Sequence, residues 1–383
     1  MRSNDRPSPI EVGYLLMNPF VFHMPVRVVF GAGRLAELPG LIPTALQRIL
    51  VVTDPGLTRH GTALKALGAA LDGRRYDVFD EVEENPTFAT ADTGAARARA
   101  YGAQAIIGLG GGSPLDAAKG VALLSTNDGT LGDYLKGRRQ EREALPIIGL
   151  PTTSGTGSEV TPYAVFTDTE ARTKGALSHP SLFPFLSIID PTLTYSMPEA
   201  LVVSTGLDAL AHAVEAYLST DAFPVNDRIA LEAIETVLTH LPAARRKEPP
   251  AMDAMAYASM LGGVAITHAS TILPHIMGYP LTVFHRVPHG LASAVLLPEF
   301  LRYLTIQSTV PDKVAQLSGM MAPYGGLETF VEELGVSCRL RSYGMTEDDI
   351  PLFVPRVIVK GDVKITPAPI TRDVIAALYA AAL

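Results

Sequence analysis

An α/β domain with a parallel sheet, followed by an all-helical domain, is what the sequence predicts. Three observations carry this. Short apolar runs alternate with helix-like segments in the first half, two loops of small residues each follow such a run, and beyond about Met197 only helical periodicity remains.

The first apolar run is QRILVVTD (47–54), followed by a helical LKALGAAL (64–71). The strand YDVFDEV (76–82) comes next, then a helix through ATADTGAARARAYGA and a strand QAIIGLG (104–110). LPIIGLPTT (145–153) and FLSIIDP (185–191) complete the strands. Such alternation implies a parallel sheet covered on both faces. The second half opens with MPEALVVSTGLDALAHAVEAYLS, where Pro198 suits a helix start, and continues through DRIALEAIETVLTHL. MDAMAYASMLGGVAITHAS reads as helical despite its glycines, and TRDVIAALYAAAL closes the chain as an amphipathic helix. The predicted units are 1–197 and 198–383.

The chain has 383 residues, 47% hydrophobic and 18% charged, with a net charge of −8. That is an ordinary globular composition, long enough for two cores. The acidic balance argues against nucleic acid and anionic membrane as partners. No apolar run approaches the roughly 20 residues of a membrane span. Cys338 is the only cysteine, so no internal disulfide forms, which fits a reducing cytoplasm. The start, MRSNDRPSPIEVGYLL, carries no signal-peptide pattern.

GLGGGSPLDAAKG (108–120) follows a strand and opens a helix. Consecutive glycines let backbone N–H groups approach a phosphate at the helix N-terminus. Ser113 reads as the N-cap, Pro114 as the first helical residue, and Asp116 sits three beyond the cap. This is neither a GxGxxG fingerprint nor a P-loop, and a tight turn without ligand is the alternative. PTTSGTGSEVT (151–161) is a second small-residue loop, suited to line a sugar or phosphate or simply to turn.

TGLDALAHAVEAY (205–217) sets Asp208 and His212 four apart on one helix face. Six of the nine histidines fall between 212 and 289, a region of low charge. A carboxylate with several imidazoles suits Fe2+ or Zn2+.

Taken together, GGGSPLDAAKG, PTTSGTGSEVT, DALAHAVEAY and VPHG, in that order, resemble the iron-containing (group III) alcohol dehydrogenase family. NPT (85–87) and the C-terminal DVKITPAPITRDVIAALYAAA also resemble it. The resemblance implies a Rossmann-like parallel-sheet domain with an all-α C-terminal domain, the fold shared with dehydroquinate synthase. It implies metal ligands at Asp208, His212, His275 and His289. It places NAD on Gly111, Gly112, Ser113 and Asp116, on Thr152, Thr153 and Ser158, and on Val165, Lys174 and Leu193. Asp54 would face the adenosine ribose and disfavour NADP. The activity implied is metal-dependent hydride transfer between NAD(H) and a small alcohol, aldehyde or ketone, in a homodimer. A metal-free reductase of the maleylacetate reductase type and an NAD-using lyase of the dehydroquinate synthase type are the alternatives.

LPHIMGYPLTVFHRVPHG (273–290) departs from the family at Tyr279, where a second histidine is usual. Tyr279 and His285 are therefore the catalytic candidates: His285 takes over the proton relay, or Tyr279 shapes the substrate pocket. Leu and Phe side chains near 160–165 and 260–285 are expected to line that pocket.

Overall fold

The computed structural model describes residues 19–71 and 73–383. The start read above for a signal peptide, residues 1–16, lies outside them.

Six strands form one parallel sheet: β1 (Arg27–Phe30), β2 (Arg48–Val52), β3 (Arg75–Phe79), β4 (Ala105–Gly110), β5 (Ile147–Pro151) and β8 (Leu186–Ile189). Their order is β1-β8-β5-β4-β2-β3. The central strands β4, β5 and β8 are buried on both faces, which is why they read as unbroken apolar runs. From β2 the chain moves outward to β3, then crosses back to place β4 on the other side of β2. The carboxyl ends of β2 and β4 therefore flank a topological switch point, where open α/β sheets bind ligands. Asp54 follows β2 and Gly111 follows β4, so the crossover brings the two together.

Three strands escape the strand reading. β1 is short and only half-buried, so its apolar signal is weak. β6 (Tyr163–Asp168) and β7 (Thr173–Ser178) form a separate antiparallel pair, closed by Arg172 at φ 50. The expected cap is also moved. The glycine-loop helix runs Gly112–Thr126 with Gly111 as N-cap, so Ser113 lies inside the first turn. Ser113 Oγ instead accepts from the Asn85 N–H at 3.1 Å, and Asp116 accepts from Ser158 Oγ at 2.6 Å and the Val165 N–H at 2.9 Å.

The second half is helical. The central helix Glu199–Leu218 is enclosed by Pro224–Arg245 and Pro249–Ala269, with Leu273–His285 and the short His289–Ala294 beside it. Pro198 is its N-cap rather than its first residue. By length and apolarity this central helix could cross a membrane, which the sequence reading did not anticipate. However, 89% of its apolar 18-residue window is buried by its neighbours, so packing accounts for its composition.

The glycines of Pro249–Ala269 have a packing reason. A Cβ on Gly157 would stand 2.4 Å from Gly263 Cα, so this pair sets how closely the second loop approaches the helices. Gly157 also has φ 62, a left-handed conformation that glycine adopts freely.

Candidate active site

The central helix carries Asp208, His212 and Glu215 at i, i+4 and i+7, all on one face and all buried. His275 enters from the first turn of Leu273–His285, and His289 opens the next helix. One ligand atom each from Asp208, His275 and His289 lies within 4.8 Å of the other two. His212 stands beside this trio. Its Nε2 is 3.9 Å from Asp208 Oδ1 and its ring stacks on His275 at 4.7 Å. Of the four expected ligands, three converge tightly and the fourth flanks them.

The donors suit a divalent cation. Asp208 Oδ1 and His289 Nδ1 are buried with no hydrogen-bond partner among the described residues, a costly arrangement that a cation would relieve. Burial lowers the pKa of His212 to about 4 and that of His289 well below the ordinary value, so both are neutral donors at pH 7. His212 Nδ1 lies 3.2 Å from the Gly155 carbonyl of the second loop; a proton there leaves Nε2 free on the Asp208 side.

Glu215 was missed by sequence reasoning. It is fully buried. Its Oε2 accepts from the N–H of Ile272 at 2.8 Å and of His275 at 3.3 Å, and its Oε1 lies 2.9 Å from His275 Nδ1. Burial by itself lowers the pKa of His275, but the Glu215 carboxylate outweighs it and raises it. As an acceptor, Glu215 places the His275 proton on Nδ1, leaving the Nε2 lone pair for a ligand. The signal was available: Glu215 is one turn beyond His212 in an otherwise apolar run.

A cleft of about 750 Å³ runs between the sheet and the helices. Asp54, Gly111, Gly112, Ser113, Asp116, Thr153, Ser158, Val165 and Lys174 line it, as do all four candidate ligands and Tyr279. Asp54 does two things. Its Oδ1 caps the helix Pro55–His60, accepting from the N–H of Gly56 at 2.8 Å and Leu57 at 3.0 Å, while it also borders the cleft. Lys174 is buried and donates to Asn85 Oδ1 at 2.7 Å; burial lowers its pKa to about 8.

Three expected residues lie elsewhere. Thr152 is buried behind the cleft wall, its N–H bonded to the Gly110 carbonyl at 2.9 Å. Leu193 packs against the apolar face of the sheet. His285 does not reach the site: its Nε2 is 3.2 Å from Asp349 Oδ2 and its ring meets Phe353 edge-on. The cause is helical phase. Ten residues beyond His275, at about 100° each, His285 is turned roughly 80° away, whereas Tyr279 is only about 40° round. The apolar walls also differ from expectation: Tyr163, Val165, Ile266 and Tyr279 supply them, with no Leu or Phe from 160–165 or 260–285.

Comparison with known proteins agrees with this geometry. Residues 25–191 match the family described as iron-containing alcohol dehydrogenase, and residues 202–383 match the C-terminal domain of the Fe-containing alcohol dehydrogenase family. Alcohol dehydrogenase 4 of Schizosaccharomyces pombe is 34% identical over 378 residues, covering 94% of this chain and 89% of its own length. The crystal structure of an iron-containing alcohol dehydrogenase from Thermotoga maritima superposes with TM-score 0.88 at 36% identity, covering 95% of this chain and 99% of that one. Sulfoacetaldehyde reductase from Bifidobacterium kashiwanohense, solved with NAD+, superposes with TM-score 0.86 at 29% identity over 95% and 98% of the two chains.

The chain belongs to the iron-containing alcohol dehydrogenase family. Its reaction class is that of an oxidoreductase acting on alcohols and aldehydes.

Proposed function

We propose reversible hydride transfer between NAD(H) and a small aldehyde, ketone or alcohol, carried out in the cleft between sheet and helices. One observation carries this reading: Asp208, His275 and His289 converge in the same cleft that the glycine loop lines. Asp208, His212, His275 and His289 would hold Fe2+ or Zn2+, which when bound supplies a Lewis acid for the substrate oxygen.

The remaining work falls to the chain. Backbone N–H groups at Gly111, Gly112 and Ser113 sit at the start of the Gly112–Thr126 helix and bind the pyrophosphate. Asp54 keeps Oδ2 for the ribose hydroxyls, a hydrogen bond that a 2′-phosphate would turn into repulsion, so NAD is preferred over NADP. Lys174 positions the nicotinamide end. Tyr279 is half-buried beside His275 and His289, and desolvation raises its pKa, so at neutral pH it is a hydrogen-bond donor and not a base. Enclosure by Tyr163, Ile266 and Tyr279 keeps water from the reacting carbon, which must approach nicotinamide C4 to about 3–3.5 Å.

We place the enzyme in the cytoplasm as a homodimer with its functional units dividing near residue 197. The lone buried cysteine supports the first of these. Metal analysis combined with an NADH-oxidation screen over short aldehydes and ketones tests the activity. His275→Ala should lose both metal and turnover while NADH still binds. Turnover that persisted without metal would remove the Lewis-acid role.

A further inference from the structure

The metal and dinucleotide account for most of the polar groups in the cleft, but not for Lys360. It follows the helix Ile350–Val357 and its Nζ donates to the Lys174 carbonyl at 2.8 Å. No carboxylate among the described residues lies within 4.0 Å of it. Burial lowers its pKa, against an opposing pull from the Asp362 carboxylate.

Of the six carboxylates that line the cleft, four have the following neighbours, and Asp362 also attracts Lys360. Asp54 caps a helix, Asp116 holds Ser158 and Val165, Asp208 faces the histidines, and Asp362 accepts from Ser270 Oγ at 3.3 Å. Lys174 belongs to the nucleotide wall, because its partner Asn85 is bonded in turn to Ser113 of the glycine loop. Lys174 Nζ also lies 5.7 Å from the centre of the Tyr279 ring, and Lys360 stands beside it. Lys360 Nζ is 6.0 Å from the centre of the same ring, which is 6.5 Å from His275 and 6.1 Å from His289. One aromatic ring thus separates a cation from the candidate metal ligands.

The positive character continues beyond the cleft. A smaller cavity shares Tyr279 and Lys360 and is walled by Arg172 and Arg356. Both guanidinium groups sit over the Phe284 ring, at 4.1 and 5.3 Å, and neither has a carboxylate within ion-pair distance among the described residues. In a chain of net charge −8, this is a local reversal of sign that attracts anions.

We propose that Lys360 is a specificity-determining residue that receives the negatively charged end group, carboxylate or sulfonate, of a short aldehyde whose carbonyl lies at Asp208, His275 and His289. This rests on the dehydrogenase reading and adds the substrate class to it. A charge-assisted hydrogen bond in a partly buried site discriminates strongly against a neutral analogue of the same length.

The test compares 4-oxobutanoate with butanal and 4-hydroxybutanal as substrates of the metal-loaded enzyme, in wild type, Lys360→Met and Lys360→Arg. Calorimetric binding of 4-hydroxybutanoate to the enzyme–NAD+ complex is measured alongside. Wild type should favour 4-oxobutanoate. Lys360→Met should lower kcat/KM for it by about 10- to 100-fold, mainly through KM, and leave the neutral aldehydes within about threefold. Lys360→Arg should restore much of the preference, and 4-hydroxybutanoate binding should weaken in Lys360→Met alone. Equal use of charged and neutral aldehydes by wild type overturns the proposal, as does a Lys360→Met defect in NADH affinity instead. If no aldehyde is turned over, the dehydrogenase reading has failed. Calorimetry then decides separately: no binding of 4-hydroxybutanoate by wild type overturns the role of Lys360.

Discussion

Replacing Glu215 with Gln tests how the site is held. The carboxylate accepts three N–H groups, from Ile272, the His275 backbone and His275 Nδ1. A glutamine of the same shape has one acceptor oxygen. If that oxygen keeps the two backbone N–H groups, the amide NH2 faces His275 Nδ1. The imidazole then relaxes by moving its proton to Nε2, the nitrogen the metal requires. Binding metal means reversing this and leaving two donors face to face, which costs about 1–3 kcal/mol. That is roughly a tenfold to hundredfold loss of affinity, in line with what other supports of metal-bound histidines contribute. Folding should suffer less, because the backbone contacts persist. Competition against a fluorescent chelator reads the affinity and a thermal melt reads the fold. A Glu215→Gln protein that held metal within about twofold of wild type would refute the tautomer argument.

Two further substitutions probe the walls of the cleft. Asp54→Asn keeps a capping oxygen for Gly56 and Leu57 but removes the charge, so stability should change by less than about 0.5 kcal/mol while the NAD/NADP preference falls roughly tenfold or more; steady-state kinetics with both dinucleotides measure it, and an unchanged ratio would separate Asp54 from the ribose. Gly290→Ala would set a Cβ 2.2 Å from the Ser204 carbonyl and 2.7 Å from Asp208 Cβ, wedging the His289 segment off the central helix. A loss of about 2–3 kcal/mol in a denaturant melt is expected, with weaker metal retention, and an unaltered melt would show that the contact yields freely.

Much of this protein is written locally. The strands from 47 to 189 and the long helices were readable because burial on both faces gives unbroken apolar runs and burial on one face gives 3.6-residue periodicity. Asp208 and His212 were readable as a pair for the same reason, since four residues on a helix are one turn. β1 was not, being only four residues long and half-exposed, and neither was the antiparallel pair Tyr163–Ser178.

The tertiary structure decided what depends on distance across the chain. Asp54 precedes Gly111 by 57 residues, and only the crossover from β3 to β4 makes them neighbours. Glu215 meets His275, and Lys360 meets Tyr279, because helices far apart in sequence pack at one point, and no local pattern encodes that packing. His285 lies in the same helix as His275, yet the pitch of that helix turns it toward Asp349. Residue type and spacing determined which groups were available, while the packing of helices on a sheet selected those that share the cleft.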